Sequence, residues 1–482
     1  MRDAPRRPGL APGPLTVNGP PRGKACHATF RLKTATGPGS SPGRRGLAVL
    51  ACLVATPAHA DTLADALATA DPVAVEAALT AGADANAPLL YGESPLSRAI
   101  ETQDSALVAV LLTHGAKPNV ADAEGLTPLS LACERGSAAI VGQLLDARAD
   151  VRKAGPDGAT PLAVCARYSD AGTVSRMLDK GAKADSPDAR GQTPLMWAAS
   201  AGNLGAIAAL LKTGAKANRV TTEGFTPLFF AIASGSGEAT RALLAAGAGA
   251  DTAHRGPENT SEQQLALYQN NWRAAEMLVP LGFDLAERDR NGEQPLHVAA
   301  KGGDTALIDL LLAKGADVNG LTGASRIKWV TEANFGMPPP PVPPTPPLLI
   351  AAQAGQIDAM KRLVAGGANP TFVAENGVNV VLAAASGHSA AALEEALTLA
   401  PDANVADAKG TTPLHLVIGG GMHDQLGAML KVLAAHGAKP TLANARGTTP
   451  AQMAEGGLAT VKAAYDQVFG ETGVPVLANA RP

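Results

Sequence analysis

Thr193-Pro194-Leu195-Met196-Trp197-Ala198-Ala199 belongs to a recurring phrase, for Thr-Pro-Leu returns with its Pro at 128, 161, 194 and 227, always 33 residues on. Ser94-Pro95-Leu96 stands one period earlier. Gln294-Pro295-Leu296 follows Pro227 after 68 residues, which leaves room for one degraded copy at Ser261. Pro347, Val380 and Pro413 resume the 33-residue step, and Pro450 comes 37 after Pro413. Eleven copies therefore run from Gly92 to about residue 480. A period of this length marks a stack of small units, each unable to bury its apolar face alone. It overrides the length of 482 residues, which by itself suggests about three domains.

Each copy reads as two helices and a turn. Thr at the N-cap accepts an orphan amide, and Pro fits the first helical position with its fixed φ. The alanines that follow let neighbouring helices approach closely. A turn such as Gly302-Gly303-Asp304 leads to a second helix with Ile308, Leu311 and Leu312 on one face. Gly315-Ala316-Asp317 ends it, with Gly in the left-handed position. Asp122, Asp188, Asp289 and Asp407 each precede a Gly by three and suit the tip of a connecting hairpin. The expected fold class is all-α, an array built of helix-turn-helix units. Thin alanine-lined layers also account for a composition with 46% hydrophobic but only 3% aromatic residues.

These residues resemble the ankyrin repeat family. Gln294-Pro295-Leu296-His297-Val298-Ala299-Ala300 and Thr412-Pro413-Leu414-His415-Leu416 are similar to its Thr-Pro-Leu-His signature, and Leu311 to Asn319 to its second helix and finger. The resemblance covers about four-fifths of the chain. It implies an ankyrin-repeat solenoid of L-shaped units, with the first helices and hairpin fingers lining a concave side. It also implies a scaffold for protein recognition without shared catalytic residues, and a structural role for His297 and His415 at the first-helix turn.

The flanks read differently. Arg44-Arg45, an apolar run from Leu47 to Ala55 and Thr56-Pro57-Ala58-His59-Ala60 form a secretory signal with cleavage after Ala60. The run is too short for a membrane span. Its late start suggests that translation begins downstream of residue 1, and the general secretory and twin-arginine routes both remain open. Residues 1–60 hold nine Lys/Arg and one acidic residue, so the overall net charge of −3 becomes −11 for the chain from Asp61. An acidic chain is not expected to bind nucleic acid. The domain reading is a leader at 1–60, an N-terminal capping unit at 61–91 and repeats at 92–320. An insertion at 321–346, repeats with a C-terminal cap at 347–470 and a tail at 471–482 complete it. Arg148 and Ala400 stand where Gly is usual and, with the copy at Ser261, mark expected weak joints.

Candidate contact residues follow from position in the repeat and side-chain type. Trp197 and Phe230 lie three residues after the repeat Pro in adjacent copies, with Phe225 at a finger base beside them. They read either as a binding ridge or as packing between repeats, since Leu131, Val164 and Leu416 fill the same slot. The insertion carries Arg326, Lys328, Trp329 and Phe335 before its prolines. It reads either as a long partner-touching finger or as a tolerated loop. Cys133 and Cys165 are 32 residues apart, one position out of register. Stacked repeats are expected to hold their Cα atoms about 8–10 Å apart, beyond the 7 Å disulfide limit, which favours buried free thiols. No metal-ligand spacing and no phosphate, hydrolase or dithiol motif occurs, so no cofactor, no metal and no catalysis are expected. The reading is a monomeric, non-catalytic scaffold in the periplasm or secreted, with one protein partner and no membrane insertion. A secreted effector aimed at host proteins, or an enzyme with an unrecognised site, are the alternatives.

Overall fold

The computed structural model describes residues 58–122, 124–249, 251–325 and 343–470. Among the described residues the chain forms 24 α-helices and three single 3-10 turns, with no strand. Twenty-two of the helices form eleven pairs, which follow an N-terminal pair, Ala58–Ala68 and Pro72–Thr80. First helices begin at Pro95, Pro128, Pro161, Pro194, Pro227, Pro295, Pro347, Val380, Pro413 and Pro450. The degraded copy also forms one, Glu262–Tyr268, capped by Ser261.

The capping chemistry is what the phrase predicts. The Thr127 hydroxyl accepts the amide of Ser130 at 3.1 Å, and Asn379 does the same for Leu382 at 3.0 Å where Thr-Pro is missing. Where His stands third in the helix it reaches back. The Gln294 amide donates to His297 Nδ1 at 3.3 Å, and the Thr412 amide to His415 Nδ1 at 3.1 Å. Nε2 of each ring then donates to a carbonyl of the next finger, Thr345 or Thr448, both at 3.0 Å. The neutral imidazole thus satisfies one donor and one acceptor across a repeat boundary.

Burial follows the register. The Leu after the repeat Pro (Leu129, Leu162, Leu195, Leu228) is at most 1% exposed, and the residues three and four further on, mostly alanines, are fully buried. Each such Leu contributes about 1.5–3 kcal/mol. Fingers add polar joints. Asp122, Asp188, Asp289 and Asp407 accept the amide four residues on at 2.7–2.8 Å. Successive fingers also bond to each other, as in Ala408 N–H to Asn376 O at 2.9 Å. There Gly377 has φ +84°, and a Cβ on it would sit 2.7 Å from the Ala408 nitrogen. A second set of joints uses an Asn eight residues before the cap. Asn119 donates to Arg148 O and accepts from Asp150 N, and Asn404 donates to Gly437 O and accepts from Lys439 N. Arg148 takes the glycine conformation at φ +62°, at a cost of about 1 kcal/mol. Ala400 instead leaves the pattern at φ −139°.

The cysteine expectation is corrected. Cys133 and Cys165 form a disulfide, with Cα atoms 4.5 Å apart. Equivalent residues of stacked units are separated by the full repeat spacing, and that is the distance the sequence reading used. A residue and its neighbour one position out of register face each other directly, across alanine-sized side chains. The offset noted in the sequence is the reason the bridge closes.

His297 gives the array an acid-sensitive joint. Burial pushes its imidazole down to about 4, while the unfolded ring titrates near 6.5. Between these values the unfolded chain holds a proton that the folded chain does not. Stability is therefore full above pH 6.5 and falls as the pH drops through about 4, by on the order of 3 kcal/mol. Denaturant midpoints at several pH values in this window should rise with pH. His297→Gln, which keeps a donor and an acceptor but does not titrate, should flatten that slope.

Candidate functional site

First helices present the residue three after the repeat Pro beside the fingers. In the pair Pro194–Ser200 and Leu204–Lys212 this residue is Trp197, which is half-buried. Its indole Nε1 donates to Asp188 Oδ2 at 3.2 Å, so the finger fixes the ring. From the preceding repeat, the Arg167 guanidinium lies 5.9 Å from the Trp197 ring centroid and 5.4 Å from that of Tyr168. Tyr168 is 46% exposed. One repeat further, Phe230 and Phe225 are both half-buried, with ring centroids 5.8 Å apart. Phe229, which the sequence reading did not single out, is buried at 3% exposure and makes an edge contact to Phe225 at 6.0 Å. The Phe225 side chain therefore bridges the buried Phe229 ring and the half-buried Phe230 ring.

Arg167 and Tyr168 were also missed, and their signal was present. They stand six and seven residues after Pro161, where the helix closes and side chains leave the packed face. Trp197, Phe225 and Phe230 thus sit in one neighbourhood of repeats, with Arg167 and Tyr168 added to it. Arg326, Lys328, Trp329 and Phe335 lie outside the described residues.

The base of the insertion is described. Thr322 N–H donates to Thr345 O at 3.1 Å, and Thr345 N–H to Thr322 Oγ1 at 3.0 Å. Gly323 N–H donates to Gly292 O at 2.8 Å. The two ends are thereby pinned together and to the previous finger. Asn319 meanwhile bonds directly to Gly367 O and Asn369 N of the following unit, so the stack continues past the insertion.

Family models described as ankyrin repeats (3 copies) match residues 63–154, 96–188 and 162–256, and one described as ankyrin repeats (many copies) matches residues 264–312. Together they span half of the chain. It belongs to the ankyrin repeat family. Over 56 residues this ankyrin repeat chain is 41% identical to a fowlpox virus (strain NVSL) protein named as an ankyrin repeat protein. That match covers 12% of this chain and 8% of the viral protein, so it supports the repeat and carries no partner or compartment across. Ankyrin repeats imply a scaffold for protein–protein interaction. Among the described residues, no group of three or more His, Cys, Asp and Glu side chains is placed to hold a metal ion. No helix among them is long and apolar enough to cross a membrane.

Proposed function

We propose that this ankyrin repeat protein is an exported, monomeric, non-catalytic scaffold that binds one protein partner on its concave and finger face. The observation that carries the surface is the half-buried Trp197, flanked by Arg167, Tyr168 and the Phe225–Phe230 pair. Trp, Tyr and Arg are the residue types that dominate binding energy when they are partly exposed on a rigid support. Export to the periplasm rests on the basic-apolar-small pattern ending at Ala60. The Cys133–Cys165 bridge supports it, because structural disulfides persist in oxidising compartments. Cleavage after Ala60 leaves Asp61 to Ala68 of the first helix attached to the array.

Fractionation followed by N-terminal sequencing should find the mature chain outside the cytoplasm and beginning at Asp61. Capture of the partner from that fraction should weaken by about 30-fold or more in Trp197→Ala and in Phe230→Ala, the size of an interface hot spot of 2 kcal/mol. Both variants should still fold, losing less than the roughly 3–5 kcal/mol of a fully buried ring, since each ring is only partly buried. Unchanged capture in both would remove this surface from the proposal, and a mature chain retaining Arg44 would remove the export reading.

A further inference from the structure

We propose that Arg167, which lies over the Tyr168 and Trp197 rings, recognises a carboxylate side chain on an acidic segment of the protein partner. This rests on the scaffold reading and specifies the chemistry of its occupant. In this acidic chain, Arg135 pairs with Glu101, Arg176 with Asp146, Arg241 with Glu238, and Arg255 with Glu287. Arg167, like several other arginines, has no carboxylate oxygen within 4.0 Å among the described residues, and it lies over two aromatic rings.

Its partners are two aromatic rings and one hydroxyl, none of them a counter-ion. Its Cζ lies over the Tyr168 and Trp197 rings, 5.4 and 5.9 Å from their centroids. One nitrogen, Nη1, makes a long 3.4 Å hydrogen bond to Ser200 Oγ. A guanidinium has five N–H donors in a planar fork, so most of them remain open. Asp188 reaches this neighbourhood through the Trp197 indole, but it is not a counter-ion. One of its oxygens accepts from that indole, and the other accepts the amides of Arg190 and Gln192. Arg190, exposed on the same finger, donates to Gln192 Oε1 at 3.4 Å and likewise has no carboxylate within ion-pair distance among the described residues.

Two consequences follow. The aromatic rings hold the fork in place before binding, so little side-chain freedom is lost when a carboxylate arrives. A bidentate Arg–carboxylate contact beside these rings is charge-assisted and stronger than a neutral hydrogen bond. The fork is planar and the stacking needs a flat cation, so lysine is not an equivalent. Phe230, one repeat along, then meets an apolar side chain of the same segment. The occupant is a peptide segment with Asp or Glu next to a hydrophobic residue.

A random peptide display library selected against the immobilised full chain tests this without knowing the partner. Enriched sequences should carry Asp or Glu beside an apolar residue. A synthetic peptide of the enriched sequence should bind about tenfold or more weakly to Arg167→Gln, which corresponds to 1.4 kcal/mol. Replacing its acidic residue by the amide should cost the same on the parent and nothing further on Arg167→Gln. Arg167→Lys should recover only part of the loss, and added salt should weaken the parent complex more than the variant complex. Enriched peptides without acidic residues, no enrichment at all, or equal binding by Arg167→Gln would each overturn the proposal. Binders or a captured partner lost on Trp197→Ala but indifferent to Arg167→Gln would leave the scaffold standing and sink the carboxylate alone.

Discussion

Removing the Cys133–Cys165 bridge is expected to lower stability by about 3.7 kcal/mol, the loop-entropy value for a closed loop of 32 residues. The cleanest variant is the double change Cys133→Ala with Cys165→Ala. Both side chains are fully buried, and other units carry alanine at the same positions, as in Ala132, Ala166, Ala198 and Ala199. The double variant therefore leaves an ordinary alanine-lined contact between the first helices Pro128–Glu134 and Pro161–Tyr168. It deletes the cross-link with little added cavity, so the entropic contribution is isolated from packing.

The measurement is the denaturant midpoint with and without reductant. The parent should lose stability when reduced, while the double alanine variant should be indifferent. In a stack where units touch only their neighbours, the loss should also be local. Hydrogen exchange should accelerate across residues 128–179 before it does in the C-terminal units. Thiol titration of the unfolded parent, with residues 1–60 removed and no reductant, should find none. Two titratable thiols together with an unchanged midpoint would sink the bridge and its support for an oxidising compartment.

The bridge also shows how far sequence reading reaches. The 33-residue period, the Thr-Pro caps and the Asp-tipped fingers were legible because each is local chemistry repeated at a fixed interval. Helix starts at Pro128, Pro194 and Pro413 follow from two adjacent residues. The Asn119 and Asn404 joints were legible in principle, since an Asn recurs eight residues before the cap. Nothing local distinguishes such an Asn from a turn residue, however, until its partner 29 or 33 residues away is in place. The disulfide failed for a related reason. Distance between equivalent positions is set by the stack, but distance between offset positions depends on how closely two alanine faces approach. Trp197 was found by its slot and type, whereas Arg167 acquires its meaning from rings in two different repeats. Periodicity specifies the unit; the contacts between units decide which of its exposed residues form a site.

The degraded copy yields the largest stabilising change. Gln263→Leu is expected to raise stability by about 3 kcal/mol. Gln263 occupies the slot that holds Leu96, Leu129, Leu162, Leu195, Leu228, Leu296, Leu348 and Leu414 in other units, all at most 2% exposed. It is itself only 1% exposed, and neither atom of its amide has a hydrogen-bond partner. A buried amide left unpaired costs about 1–3 kcal/mol, and a leucine there adds apolar burial of about 1.5 kcal/mol or more. Around it Thr226 Oγ1 bonds Glu262 Oε1 at 3.3 Å and Ser261 Oγ bonds Glu287 Oε2 at 3.0 Å, while the second Glu262 oxygen is buried without a partner like the Gln263 amide. Glu287 in turn pairs with Arg255 at 3.0 Å. Burial also raises the Glu262 carboxyl above its ordinary range. The folded chain there holds a proton that the unfolded chain releases, so this contribution is full below the unfolded pKa and lost as pH rises through the folded one. At neutral pH the joint around Ser261 is therefore the weakest in the stack, and exchange at residues 262–281 should be fastest among the central units. Gln263→Leu should slow that exchange and raise the denaturant midpoint, with the Pro194–Ser200 unit unaffected. A midpoint that falls or stays fixed would mean that the amide is satisfied in solution, and the weak joint would have to be sought at Arg148 or Ala400 instead.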